Sequence, residues 1–300
     1  MNLTFNCIVL ISALVSAASG PVALDNGKIR IELDSRTFSV RFVGVPGGRN
    51  FLEPVHLTPA ELDGRGWIEP GGLVTDVLPT RPEDVVLRRG PAELIEREDD
   101  YVLLLGPEQP ESHWRVKKEV QLARDTAALT YKVTVLSSLK EERDVRIRNT
   151  ARIAWSGALL APVDGGPMKL VRGRFEGVDK ILKYPEDSYV LPLRAKTRRS
   201  RAVLASPASE LTMNTEFGVW TRRLEIQSAL EEPESENRMG MMALLDDDTH
   251  IYESALEGAQ SGVNVGAPLV VIEHWTIGPP AAIAVHKEPI GDEIFVEELP

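Results

Sequence analysis

The chain has 300 residues and a formal net charge of -11, with 43% hydrophobic and 26% charged residues. This is the composition of an ordinary soluble protein, which excludes collagen-like, disordered and multi-span membrane classes. The acidic balance also argues against a nucleic-acid partner, because a phosphate backbone is held through a basic footprint.

Leu3 to Ala18 is an uncharged apolar run, too short to span a membrane comfortably and ending in small residues. Val15-Ser16-Ala17 presents the side chains a signal peptidase accepts, so a secretory signal is expected over 1–17 and one β domain over 18–300. The expected location is secreted or periplasmic in a bacterium, with no stable membrane span once the signal is removed. Cys7, the single cysteine, lies inside this segment, so the remaining chain offers no disulfide, thiolate metal site or cysteine nucleophile.

Period-two alternation begins at residue 28. In Lys28-Ile29-Arg30-Ile31-Glu32-Leu33 the apolar side chains fall on one face of a strand, and Phe38, Val40 and Phe42 alternate with Ser39 and Arg41. Thr58-Pro59-Ala60-Glu61 carries a helix start, which Gly64 ends within about two turns. Leu129, Tyr131, Val133 and Val135 alternate with polar residues, as do Val145, Ile147, Ala151 and Ile153 opposite Arg146, Arg148 and Arg152. The block from Trp114 to Trp155 is therefore expected to form three antiparallel strands, with turns near Arg124-Asp125 and Ser137-Ser138. Glu225 to Leu245, interrupted by Pro233, has room for a second short helix. No strand alternates with an amphipathic helix of 10–15 residues, so the expected class is mostly β, two large antiparallel sheets packed face to face.

The putting together of Gly27-Lys28-Ile29-Arg30-Ile31, the turn Pro46-Gly47-Gly48-Arg49-Asn50, and the pair Val116 to Leu122 and Ala128 to Val135 resembles galactose mutarotase-like proteins. The resemblance implies a large antiparallel two-sheet supersandwich with a carbohydrate-binding cleft on one sheet, and a carbohydrate ligand. It is a divergent likeness: the Asn-His-x-Tyr-Phe-Asn element of aldose epimerases is absent, and none of His56, His113, His250, His274 or His286 sits in such a context. Two readings follow, an aldose-epimerase-like isomerase and a noncatalytic glycan-binding or structural sandwich accessory to polysaccharide use.

Opening a sugar hemiacetal needs a base at the anomeric hydroxyl and an acid at the ring oxygen. The resemblance assigns the base to Glu273, which interrupts the apolar strand Leu269 to Ile277, where burial would raise its pKa; a paired structural carboxylate is the bland alternative. His113, opening the strand His113-Trp114-Arg115-Val116, is the acid candidate, against a surface histidine at a strand end. Arg148 and Arg152 share a strand face and can grip vicinal hydroxyls, Trp220 and Arg222 share another, and Trp275 lies on the same face as Glu273. The tryptophans are stacking platforms for a pyranose if exposed and core residues if not. Arg194 to Arg201 is a basic run, read as a solvated loop or as an anionic-glycan contact. Asp246-Asp247-Asp248 lacks the spacing of a calcium loop, no nucleotide or metal fingerprint is present, and no metal or cofactor is expected.

Overall fold

Alternating apolar side chains produce strands throughout the computed structural model, which describes residues 21–53, 72–79, 91–109, 111–153, 157–162, 169–174, 182–183, 188–193, 201–225, 240–246 and 251–281. The strands in chain order are β1 (Pro21–Asp25), β2 (Arg30–Asp34), β3 (Ser39–Gly44), β4 (Leu73–Leu78), β5 (Glu93–Arg97), β6 (Tyr101–Leu105), β7 (Trp114–Leu122), β8 (Ala128–Ser137), β9 (Arg143–Arg152) and β10 (Gly157–Pro162). They continue as β11 (Lys169–Arg174), β12 (Leu182–Lys183), β13 (Ser188–Leu193), β14 (Arg201–Ser206), β15 (Glu210–Thr215), β16 (Gly218–Leu224), β17 (Gly240–Asp246), β18 (Ile251–Glu257), β19 (Ser261–Val263) and β20 (Leu269–Gly278). Sheet I has the order β1-β2-β3-β4-β9-β18-β17-β14-β11, with β19 also paired to β9. Sheet II has the order β12-β13-β10-β15-β16-β20-β8-β7-β6-β5. Every pairing is antiparallel, and the two inner faces share one apolar core. Among the described residues no helix is long and apolar enough to cross a membrane.

The expected block of three strands is present as β7, β8 and β9, but it is not one ladder. β7 and β8 pair over nine positions in sheet II, whereas β9 crosses to sheet I and lies between β4 and β18. An apolar strand face is buried only by a facing layer, and the inward residues of β9 in sheet I share one core with those of β7 and β8 in sheet II. A second departure lies in β3. A bulge pairs Glu32 with Phe42 but Leu33 with Val40, so Val40 and Val43 are buried and Phe42 is only partly so. Phe38 belongs to the preceding turn, with φ of 51°. The segment 240–246 of the expected second helix is strand β17, while 226–239, the helix start at 58–64 and the signal at 1–17 lie outside the described residues.

One core position breaks the apolar pattern of β7. Lys118 lies among Trp114, Val116, Val120 and Leu122 on the inner face, 1% exposed. Its ammonium donates to the Phe38 carbonyl and sits 4.1 Å over the Phe38 ring, tying the β2–β3 turn of sheet I to sheet II. Burial pulls its amine from 10.5 down to about 7, with the nearby Asp76 charge acting the other way. Between those two values the unfolded chain holds a proton that the folded chain lacks, so this group makes stability rise with pH from 7 to 10.5 and contributes its full penalty below 7. Lys118→Met is expected to raise folding stability at pH 7 on the order of 3 kcal/mol, after the lost hydrogen bond, with the advantage shrinking toward pH 10. Paired urea titrations across that range check it; an advantage that does not change with pH contradicts it.

Candidate functional site

β9 is the strand on which the polar features of the molecule converge, because its alternation sends two different sets of side chains to its two faces. Val145, Ile147, Asn149 and Ala151 are buried toward sheet II, while Arg146, Arg148, Thr150 and Arg152 line the outer face of sheet I. In the ladder β18 sets Glu257 opposite Arg148, Ala255 opposite Thr150 and Glu253 opposite Arg152, and β4 sets Asp76 opposite Arg148 and Val74 opposite Thr150. Opposite charges thus meet as direct cross-strand neighbours.

The outer-face contacts are close. Arg148 donates through Nε at 2.9 Å and Nη2 at 2.7 Å to Glu257 Oε2, and Arg146 Nη1 lies 2.9 Å from Glu257 Oε1. Arg152 donates through Nε at 3.3 Å and Nη2 at 3.1 Å to Glu253 Oε1, with Glu53 3.7 Å away. This is not a washed strand face: the side chains of Glu257 and Glu253 are only 10% and 14% exposed, and Asp76, Val74 and Ala255 are buried. Held by carboxylates, the guanidinium forks are fixed in orientation, with the small Thr150 and Ala255 between the two charged clusters. Such a floor offers fixed donors and acceptors side by side, which is what a ligand with vicinal hydroxyls requires.

The inner face holds a different cluster. Glu273 of β20 is 0% exposed and accepts from Arg222 Nε (2.9 Å) and Nη2 (3.0 Å), Asn149 Nδ2 (2.7 Å) and Trp275 Nε1 (2.7 Å). Arg222 also donates to the carbonyls of Asn149 and Ser254, and Thr75 donates to Asn149 Oδ1 beside the Tyr131 hydroxyl. Burial pushes the Tyr131 phenol well up, so it stays neutral. Trp220 and Trp275 meet edge to face at 5.3 Å, 75° apart, with Arg222 over both rings.

The residues singled out from the sequence therefore separate into three places. Arg148 and Arg152 come together on the outer face. Glu273, Arg222, Trp220 and Trp275 come together between the sheets, where a carboxylate with four donors and no solvent has structural work and the buried rings present no stacking platform. His113 stands apart at the start of β7, half exposed, with φ of 56° and Nδ1 3.3 Å from Glu108. The base and acid roles expected for Glu273 and His113 thus find no shared surface. His274 faces outward from sheet II, 3.0 Å from Glu225, beside a depression of about 180 Å³ lined also by Gln121, Thr130 and Thr276. His56, His250, His286, the basic run up to Ser200, and Asp247 and Asp248 lie outside the described residues. Glu257, Glu253, Asp76 and Asn149 were not among the expected site residues. The available signal was Glu253-x-Ala255-x-Glu257, which mirrors Arg148-x-Thr150-x-Arg152 in reverse. Among the described residues no group of three or more His, Cys, Asp or Glu is placed to hold a metal ion.

No sequence family matches the chain. No curated protein matches it either. Solved structures do. A galactose mutarotase-like protein from Lactobacillus casei superposes with a TM-score of 0.59 at 9% identity, covering 86% of this chain and 100% of that one. A galactose mutarotase related enzyme from Lactobacillus acidophilus gives 0.57 at 8%, covering 88% and 100%. An aldose epimerase homologue from C. elegans gives 0.57 at 9%, with the same coverage. At these identities the likeness establishes the fold, and the expected galactose mutarotase-like sandwich is the fold observed.

Removing one member of the Arg222–Glu273 pair leaves a buried charge without its counter-ion. Glu273→Gln and Arg222→Met are each expected to destabilise folding by about 3–5 kcal/mol, and the double variant Arg222→Met/Glu273→Leu by less than the sum of the two single losses. Chemical denaturation of the four proteins measures this cycle; strictly additive losses contradict a coupled pair.

Proposed function

We propose that this is an exported carbohydrate-binding protein that holds a sugar against the outer face of sheet I, over β4, β9 and β18. The observation that carries this reading is the half-buried array of Arg146, Arg148 and Arg152 with Glu257 and Glu253 around Thr150 and Ala255. A pyranose presents hydroxyls that donate and accept at once, and alternating guanidinium and carboxylate groups, already oriented by one another, meet both demands without reorganisation. The fold supports the reading, because structures described as galactose mutarotase-like share it. Export rests on the uncharged apolar run at the start of the chain.

Binding without turnover is favoured over isomerisation. Ring opening needs a base and an acid within hydrogen-bond reach of one ring. Glu273 has its oxygens occupied by Arg222, Asn149 and Trp275 in the dry core, and His113 stands half exposed at the start of β7 against Glu108. Binding and catalysis separate cleanly by experiment. Calorimetric titration of mono- and oligosaccharides is expected to find a binding sugar, with Arg148→Ala and Arg152→Ala each weakening it about tenfold or more, while polarimetry finds no acceleration of anomeric exchange. Unchanged affinity in both arginine variants contradicts the site, and a protein-dependent rate of exchange contradicts the noncatalytic reading.

A further inference from the structure

Arg152 ends the row of arginines on β9, and each edge of the strand brings it a carboxylate. On the β18 edge Glu253 is its direct register partner, 3.1 Å from Nη2. On the β4 edge the Arg152 amide donates to the carbonyl of Gly72, the residue before β4. Beyond that point another segment takes the place of β4: the Arg152 carbonyl accepts from the Glu53 amide at 2.9 Å, and Leu52 bridges to Ile153. Glu53 thus arrives beside the guanidinium, with Oε2 3.7 Å from Arg152 Nε.

The segment that carries Glu53 is anchored along its length. Asn50 accepts from the amides of Val43 (3.0 Å) and Leu52 (3.1 Å) and donates to the Arg41 carbonyl (2.7 Å), so its side chain closes the turn after β3. Phe51 is buried, 5.0 Å from the Phe217 ring and 6.0 Å from that of Trp220, and Leu52 is buried beside it. At the rim Arg49 pairs with Glu216 at 2.7 Å. A carboxylate presented this way is in place before a ligand arrives, which spares binding the cost of ordering it.

The two carboxylates at Arg152 are not equally committed. Glu253 accepts two bonds from the guanidinium and has 14% of its side chain exposed, whereas Glu53 stands beyond hydrogen-bond distance of it and has 31% exposed. One guanidinium carries one charge and neutralises only one of them. At the other end of the row Arg146 and Arg148 share Glu257, and Asp76 is the register partner of Arg148, so charges of the two signs are equal in number there. Among the described residues the unbalanced negative charge of the outer face therefore lies at Glu53.

We propose that this face selects a sugar bearing an ammonium group, an amino sugar, and that Glu53 is the specificity-determining residue. This rests on the reading of the face as the sugar site. Glu53 accepts from the ammonium in a charge-assisted bond while the ring hydroxyls meet the oriented groups around Arg148 and Arg152. An acidic sugar would set its carboxylate against Glu53 and find the guanidinium groups already answered, which is discrimination by repulsion. The net charge of -11 draws a cation toward the protein at longer range.

Calorimetric titration with glucosamine and galactosamine, each beside its uncharged N-acetyl form and its parent hexose, tests the selection at about pH 6, where such an amine is protonated. At least one amino sugar is expected to bind about fivefold more tightly than both of its uncharged counterparts, with glucuronate and galacturonate binding more weakly than the hexoses. The margin is expected to shrink in ~0.5 M salt and to fall to about one in Glu53→Gln. An amino sugar without advantage in the parent protein, or an advantage that survives in Glu53→Gln, overturns the proposal. Hexose binding without preference, lost in Arg148→Ala, ends the selection and leaves the sugar site standing. No binding by any of these sugars contradicts both.

Discussion

An ion pair buried between two sheets must have every donor and acceptor answered, and in this protein that demand falls on Arg222 and Glu273. Three of the answering groups come from across the sandwich: the Asn149 amide, the Asn149 carbonyl and the Ser254 carbonyl. The pair therefore locks β16 and β20 of sheet II to β9 and β18 of sheet I. A shift of β9 by one residue would carry Asn149 out of the core and leave the carboxylate and guanidinium without their partners. With Asn149 fixed inward, Arg148, Thr150 and Arg152 must point outward, and the β18 register then delivers Glu257 and Glu253 beside them. The candidate site is in this sense the reverse side of the core cluster.

Much of this was legible in the sequence, and what was not had local causes. The alternation of β7, β8 and β9 specified strands and faces, because side-chain period depends only on the extended backbone. It carried no information about which sheet each strand joins, which depends on long-range burial. The same ambiguity affected Glu273. A carboxylate in an apolar strand reads equally as a shifted base or as half of a buried pair, and only the arrival of Arg222 from 51 residues away decides between them. Lys118 was invisible for the opposite reason: its neighbours Lys117 and Glu119 make the segment look like a charged outer face, although Lys118 has the inward phase. Phe42 and Val43 changed faces through a bulge at Arg41 that no turn residue announces.

The comparison with solved structures carries the fold and stops there. Sandwiches of this type can be assembled from chains that share fewer than one residue in ten with this one, since what they must share is an alternation of inward apolar positions. Chemistry has to be argued from the site itself. Here the outer face holds half-buried guanidinium and carboxylate groups paired with one another, whereas the inner cluster is closed to solvent. In the proposed reading recognition belongs to the former, and the latter holds the two sheets together.

The most direct measurement is the response of individual arginine side chains to a bound sugar, followed by NMR of their guanidinium signals during a titration. Arg148 and Arg152 are predicted to shift in proportion to occupancy while Arg222 stays at its position in the free protein. Movement of Arg222 with Arg148 and Arg152 unmoved would mean that the ligand enters between the sheets, and the account would be wrong.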